Sequence, residues 1–389
     1  MTHALRRNIS LLYLTFLATI LMNVLPQQYF ATHEPEKKAI YLSSTLLVCA
    51  IIAISAVFLA NKNLNEKVYS FVRYCFFPAI SALAIYLFQF ESSNTILYMI
   101  CHFCLVFCIN FSLQICDTVS SSVSNDTERR LNDTAGTTLR FVGMFLGPLY
   151  MGFGNPDIKM HFLFLIILCV ASQWGLSRFK KQDATPLVTL TLPTTNIPKN
   201  QWYDILSSIG IYGSYCILAS TIMYMLSDFQ SDFDPKQRAG LLISVVYAGA
   251  FATAILINLL KVNKLRALRF YAPFAMLGGV GMLRSNLGSH FEVQIAVSAF
   301  LGAGFSCFLI EFRNSISKFA LQSNDQKYIS IFNSVPNYSA LFAFFVLAAI
   351  AVISPLFDFR FTDCVYFFLL VFSLILVCFV GKINASQSC

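Results

Sequence analysis

An all-α integral membrane fold of twelve transmembrane helices, arranged as two six-helix bundles related by pseudo-symmetry, is predicted by three observations in this sequence. Apolar runs of about 20 residues recur from end to end, each long enough to cross a hydrocarbon core of roughly 30 Å as a helix. Lys and Arg collect in alternate connections between those runs. A shift of 194 residues lays the first half of the pattern on the second. The composition agrees: 57% apolar and 12% charged residues over 389 positions lie far from a soluble domain.

The predicted spans are 8–28, 40–60, 70–89, 95–117, 138–154, 160–177, 204–226, 238–260, 268–285, 292–311, 332–353 and 363–381. They are continuous and rich in Leu, Ile, Phe and Ala. A membrane β-barrel would instead alternate over segments of about ten residues, so the backbone here has to be satisfied inside helices. The first run is too long for the apolar region of a signal peptide and lacks a convincing small-x-small site, so it is read as a retained helix.

Charge sets the expected orientation. With the N-terminus inside, 20 of the 27 Lys and Arg residues fall on inner segments, which places both termini in the cytoplasm. The setting expected is a bacterial inner (plasma) membrane. The net charge of +8 then reflects topology and anionic lipid, and no nucleic-acid partner is invoked. Twelve cysteines, mostly within spans, behave as small buried groups rather than as a disulfide framework.

The most polar interior stretch is FKKQDATPLVTLTLPTTNIPKN, with three prolines. It reads as a linker, giving an N-terminal bundle over 1–177, a cytoplasmic linker over 178–203 and a C-terminal bundle over 204–389. Under the 194-residue shift, FSLQICD at the end of the fourth span falls on FSCFLIE at the end of the tenth, and Phe, Ser and the terminal acid coincide. The chain therefore reads as a six-helix unit duplicated in parallel.

The fifth span contains GMFLGPLYMG, Gly143 to Gly152. Gly143 and Gly147 share one helix face and permit a close neighbour, while Pro148 removes a backbone donor and bends the helix. With the two parallel repeats, this segment resembles the major facilitator superfamily, whose repeats rock about a central site. The Gly-Pro helix is similar to that superfamily's antiporter signature, with Gly143, Gly147, Pro148 and Gly152 at the matching positions. Three residues rather than two follow Gly-Pro, and a single Gly then appears. The resemblance implies a helix that seals one side of the cavity, in the branch of proton-coupled drug and metabolite exporters. The loop expected to carry the other signature, ANKNLNEKVYSFVR, keeps Lys62, Lys67 and Arg73 but lacks Gly and Asp, which marks a divergent member.

Asp117 closes the fourth span at a helix C-terminus, where the macrodipole disfavours negative charge. Docking against Lys62 or Lys67 would offset this. By symmetry, Glu311 would meet Lys261, Lys264, Arg266 or Arg269. Such pairs resemble the inner charge clusters that hold these transporters outward-open, and Asp117, Glu311, Lys62, Lys67, Arg266 and Arg269 are therefore assigned to a latch. The competing reading is solvated acids at the membrane boundary.

CHFCLVFC, Cys101 to Cys108, suggests a metal site, but helical phase argues against it. At about 100° per residue, the three thiols share one face, with His102 and Asn110 roughly opposite. Intramembrane polar groups tend to face a cavity. His102 and Asn110 are therefore read as pathway residues, with His102 a candidate for proton coupling and a helix-packing histidine as the alternative. The first span adds Thr15, Thr19, Asn23 and Gln27. The seventh adds Ser207, Ser208, Tyr212, Ser214, Tyr215, Ser220 and Thr221, and the eleventh adds Asn333, Asn337 and Tyr338. Of these, Asn23, Tyr212, Tyr215 and Asn337 join the pathway set.

No carboxylate lies deep within a span, which points to a neutral, amphiphilic or anionic solute, with Arg140 and Arg284 as anion contacts. The function expected is secondary active transport of a small organic solute, by proton-coupled efflux of a drug, metabolite or siderophore-like molecule. Uptake of a nutrient or metal chelate is the alternative, as is a transport-inactive sensor. Five dispersed histidines and the lack of a Gly-x4-Gly-Lys-Ser/Thr loop argue against an enzyme. Protons, the lipid bilayer and a small-molecule substrate are the expected partners. A monomer without cofactor or metal is expected.

Overall fold

In the computed structural model the described residues are 12–16, 44–45, 47–49, 51–52, 54–55, 95–121, 138–150, 199–227, 235–259, 265–285, 288, 290–323 and 327–387. All regular structure among them is helical. The helices are α1 (Thr95–Ser121), α2 (138–150), α3 (Lys199–Ser227), α4 (Pro235–Leu259), α5 (Leu265–Arg284), α6 (Phe291–Ser323), α7 (Lys327–Leu356) and α8 (Phe361–Gln387). The chain divides into two compact units. One comprises Met1–Pro35 and Val48–Leu190; the other comprises Glu36–Leu47 and Thr191–Cys389.

Five of the described helices are long and apolar enough to span a membrane, over Trp202–Ile222, Gly240–Ile257, Phe291–Phe312, Tyr338–Leu356 and Phe361–Val380. The predicted ninth span is helical as α5 and is not among these five. Arg266 and Arg269 lie in its first turns, and Pro273 lies inside it.

Several helices outrun the apolar stretches that announced them. α6 continues past the predicted end at 311 to Ser323, and α8 reaches Gln387. Apolar length reports how much helix is immersed, whereas helical hydrogen bonding continues into polar sequence. Lys199 to Tyr203, read as the end of the linker, already belong to α3; Pro198 directly precedes its start.

In the first unit, α2 lies against the helical segment 12–16 at Gly143. A Cβ there would come within 2.8 Å of the Leu12 carbonyl oxygen and 3.1 Å of the Phe16 nitrogen. The ring of Phe16 packs 5.9 Å from that of Tyr150. Gly143 is thus a true close-approach glycine, where membrane helices gain packing through small residues.

In the second unit, α4 and α5 both pack on α6, α3 packs on α7, and α8 packs on α5 and α3. Glycines set these contacts. A Cβ on Gly249 or Gly302 would run into the carbonyl oxygens of Ala299 and Val246 respectively, so the α4 and α6 backbones touch. Gly210 and Gly213 let α3 accept Leu376 of α8 and Phe342 of α7, at 2.9 and 2.7 Å from the Cβ positions. The turn between α7 and α8 places Asp358 in the left-handed region at φ 55°, with Phe359 N–H donating to the Ser354 carbonyl at 3.0 Å. Outward-facing positions such as Phe345, Val352, Phe367 and Leu374 are apolar and exposed from the protein, as a lipid-immersed bundle requires.

Candidate functional site: a buried carboxylate–guanidinium cluster and the helix core beside it

The cluster is built from three helices. Arg269, in the second turn of α5, donates from Nε to Glu311 Oε2 of α6 at 2.6 Å and from Nη1 to Asp204 Oδ1 of α3, also at 2.6 Å. The side chains of Arg269 and Glu311 are 5% and 4% exposed, and that of Asp204 is 26% exposed. The third nitrogen, Nη2, is buried with no hydrogen-bond partner among the described residues.

Because α6 runs on to Ser323, Glu311 lies well inside its helix rather than at a C-terminus. The dipole penalty, which falls off within the last turn, therefore does not govern it. Desolvation does, and the guanidinium offsets that cost. Arg269 has the opposite problem: it sits near the positive end of α5, and two acids accommodate it. The Asp204 backbone is held as well, its carbonyl accepting from Ser207 Oγ at 3.1 Å and Ser208 Oγ at 2.6 Å.

Sequence reasoning missed Asp204. It opens the seventh span, whereas the residue-by-residue match of the repeats rests on the ends of the fourth and tenth. An acid two residues after Trp202 with paired serines following was the available signal.

One step further along α3, Tyr215 is fully enclosed. Its hydroxyl donates to the Leu301 carbonyl of α6 at 2.8 Å, with the Ala272 carbonyl of α5 at 3.4 Å. Gly304 makes room, since a Cβ there would reach 3.0 Å from the hydroxyl and 2.6 Å from Ala275 Cβ. Phe305 packs against both tyrosines, its centroid 4.6 Å from Tyr215 and 5.2 Å from the half-buried Tyr212, the latter edge-on. The Tyr215 hydroxyl therefore ties three helices together. Replacing it by Phe is expected to lower stability by about 0.6–2 kcal/mol, measurable as earlier thermal unfolding of the purified protein.

Most hydroxyls offered by the seventh span turn inward to their own helix. Ser214 Oγ donates to the Gly210 carbonyl and Thr221 Oγ1 to the Ile217 carbonyl, and Ser207 and Ser208 bond to Asp204 as described. Back-bonding to the preceding turn satisfies a buried hydroxyl within its own helix.

In α1, the thiols and His102 were expected on contrasting faces, yet both faces are covered. Cys101 and Cys108 are buried, and His102 is 3% exposed. The His102 ring stacks on Tyr98 at 5.6 Å, and its Nε2 has no hydrogen-bond partner among the described residues. Asn110 donates from Nδ2 to the Val106 carbonyl at 2.8 Å. Both of these faces pack inward while Ile96 and Ile100 remain exposed on a third, so phase alone does not separate packing from pathway.

At the end of the second unit opposite Asp204, buried Arg238 donates from Nε to Gln294 Oε1 at 2.8 Å, and Gln294 Nε2 donates to the Gly288 carbonyl at 2.5 Å. The Arg238 guanidinium lies 5.9 Å from the Phe291 ring centroid. Arg284, read as an anion contact, instead pairs with Asp363 at 3.0 Å, with both side chains about half exposed. An exposed pair contributes little. Asp363→Asn is expected to change stability by less than about 1 kcal/mol, in contrast to the buried cluster, and thermal unfolding compares the two directly.

Of the remaining predicted residues, Asn23, Lys62, Lys67 and Gly152 lie outside the described residues, as do the side chains of Asp117, Arg266 and Asn337. Gly147 and Pro148 are buried in α2.

No family model and no curated protein matches the sequence. Solved structures do. A mutant of the nucleoside transporter NupG matches with a TM-score of 0.70 at 12% identity, over 98% of this chain and 100% of that one. The unsubstituted NupG matches at 0.67 and 13%, over 99% of each chain. A mutant of the peptide transporter POT in complex with alafosfalin matches at 0.67 and 12%, over 98% of this chain and 94% of that one. The chain shares the fold of these transporters. At such identities the likeness is one of architecture, extending over nearly the whole chain.

Proposed function

We propose that this protein is a secondary active transporter that moves a small organic solute across a membrane by alternating access. The observation that carries this reading is the near-complete overlap of its fold with two transporters of chemically different solutes, nucleosides and peptides. In this reading the chain forms twelve spans in two six-helix bundles joined by the 178–203 linker; the boundary between the compact units at Leu190 and Thr191 supports that division.

The latch reading is supported by the geometry of the buried cluster. Glu311 and Arg269, joined by Asp204, hold the same ends of α3, α5 and α6 together, so that this end of the second bundle moves as one body when the bundles rock against each other. Asp117, with Lys62 or Lys67, is proposed for the equivalent role in the first half, on the strength of the repeat. Tyr212 and Asn110 are the partly accessible members of the proposed pathway, to which His102, Tyr215, Asn23 and Asn337 also belong.

Proton-coupled efflux is the direction proposed, supported by the close packing of Gly143 in the Gly-Pro helix. Uptake of a nutrient or metal chelate through the same fold is the second reading.

The test is thermal stabilisation of the purified protein across nucleosides, short peptides, antibiotics and siderophores, because a ligand that binds the folded state raises its apparent stability. A stabilising ligand is then followed in proteoliposomes under imposed pH gradients of either sign. Accumulation against the proton gradient supports exchange, and accumulation with it supports uptake. Ligand binding without any flux would instead favour a sensor.

A further inference from the structure

We propose that the turn between α7 and α8 is a membrane anchor, with the rings of Phe357 and Phe359 seated in the phospholipid leaflet and the Arg360 guanidinium at the level of the lipid phosphates. The inference is independent of which solute the protein carries.

The turn comprises the residues between two membrane-spanning stretches, Tyr338–Leu356 and Phe361–Val380. A connection at that depth can be built mostly from polar residues, and a second one at the same end is. Arg284, the last residue of α5, pairs with Asp363 in the first turn of α8, and the α5–α6 connection that follows it reads SNLGSH. The α7–α8 turn reads FDFR instead. Phe357 and Phe359 are each 64% exposed, beside an exposed Leu356. Large apolar side chains gathered at a surface in this way mark a contact.

The backbone fixes how the rings are presented. Phe357 N–H and Phe359 N–H both donate to the Ser354 carbonyl, at 3.3 and 3.0 Å, and Asp358 N–H donates to the Pro355 carbonyl at 3.4 Å. With Asp358 in the left-handed region the chain reverses at once. The two rings consequently lie near-parallel, their centroids 6.5 Å apart and their planes 25° from each other. They form one preset apolar tip.

Two observations name the occupant. Val352, Ile353 and Leu356 on α7 and Phe367 on α8 are apolar and exposed, so the tip continues the face that the bilayer covers. The charges match as well. Asp358 and Arg360 are exposed, and neither is ion-paired among the described residues. One charge of each sign suits a zwitterionic phospholipid, with the guanidinium on the phosphate.

The experiment places tryptophan at each ring in turn, as Phe357→Trp and Phe359→Trp, in the full-length protein reconstituted into phosphatidylcholine vesicles. The parent, whose tryptophans are Trp174 and Trp202, is the reference. Fluorescence gained over the parent should be quenched by phosphatidylcholine brominated on its acyl chains, more strongly when the bromine lies near the glycerol than near the chain end. Iodide in the water should quench it little. Arg360→Gln in the Phe359→Trp background should weaken the lipid quenching, and an unchanged signal removes Arg360 from the contact. Added fluorescence that iodide quenches and brominated lipid does not would put the turn in water and overturn the proposal. Shelter from both quenchers overturns it too, and disulfide-linked dimers of Phe359→Cys that the parent does not form would then identify a second copy as the occupant. If a tryptophan variant does not fold, Phe357→Ser combined with Phe359→Ser decides the matter. That variant should lose part of the rise in unfolding temperature that phosphatidylcholine gives the parent in detergent, and a rise equal to the parent's overturns the anchor.

Discussion

Arg269→Met is expected to destabilise the second unit by about 3–5 kcal/mol, the penalty for leaving buried charge without its partner. Glu311 is buried beneath the guanidinium, its side chain 4% exposed. Thermal unfolding in detergent should show an earlier transition, and the yield of folded protein should fall with it. The companion measurement is Arg269→Met combined with Glu311→Met, which removes both buried charges and replaces them with apolar volume. Most of the lost stability should return, because well-packed apolar side chains often match a buried ion pair. A single variant as stable as the parent would mean that Glu311 is not dependent on Arg269.

Gly302→Ala should have the next largest effect for the smallest chemical change. The added methyl meets backbone: the Val246 carbonyl oxygen and carbon and, at 2.9 Å, the Ala250 nitrogen. No side chain can rotate away, so α4 has to move off α6. Overpacking of this kind costs about 1–3 kcal/mol or more. The control lies in the neighbouring helix. At Gly278 the nearest atom to a new Cβ is a ring carbon of Phe300 at 3.9 Å, so Gly278→Ala should be close to neutral. Equal effects of the two alanines would show that intrinsic helix propensity, rather than the helix crossing, controls both sites.

Packing narrowed two of the expectations. The ninth span was legible as a helix and Arg269 as one of the cations offered to Glu311, and the structure joins those two. From the sequence, Glu311 had four cations to choose from, and only three-dimensional proximity selects Arg269 from α5. The serines of α3 were legible as polar groups in an apolar helix. Their bonds to the preceding turn were not legible, because a hydroxyl can satisfy itself locally or face a cavity with the same sequence around it.

Gly302 and Gly278 look alike in the sequence: each is a glycine within a membrane helix. Their neighbours decide that one permits backbone contact while a Cβ on the other would meet only a ring carbon at ordinary van der Waals distance. Asp204 and Arg238 illustrate the same limit, since their partners lie 65 and 56 residues away along the chain.

From the sequence by itself came the membrane class, the approximate helical spans and the acid repeated at Asp117 and Glu311. Each follows from a local rule: backbone groups in hydrocarbon must bond within their own helix, and charges are costly wherever the apolar run is long. The tertiary structure alone decided that Arg269 serves Asp204 and Glu311, that Tyr215 joins α3 to α5 and α6, and that Gly302 lies at a helix crossing. Those relations depend on which helix faces meet. That is a property of packing among long-range neighbours, and the helical periodicity of any one segment carries no record of it.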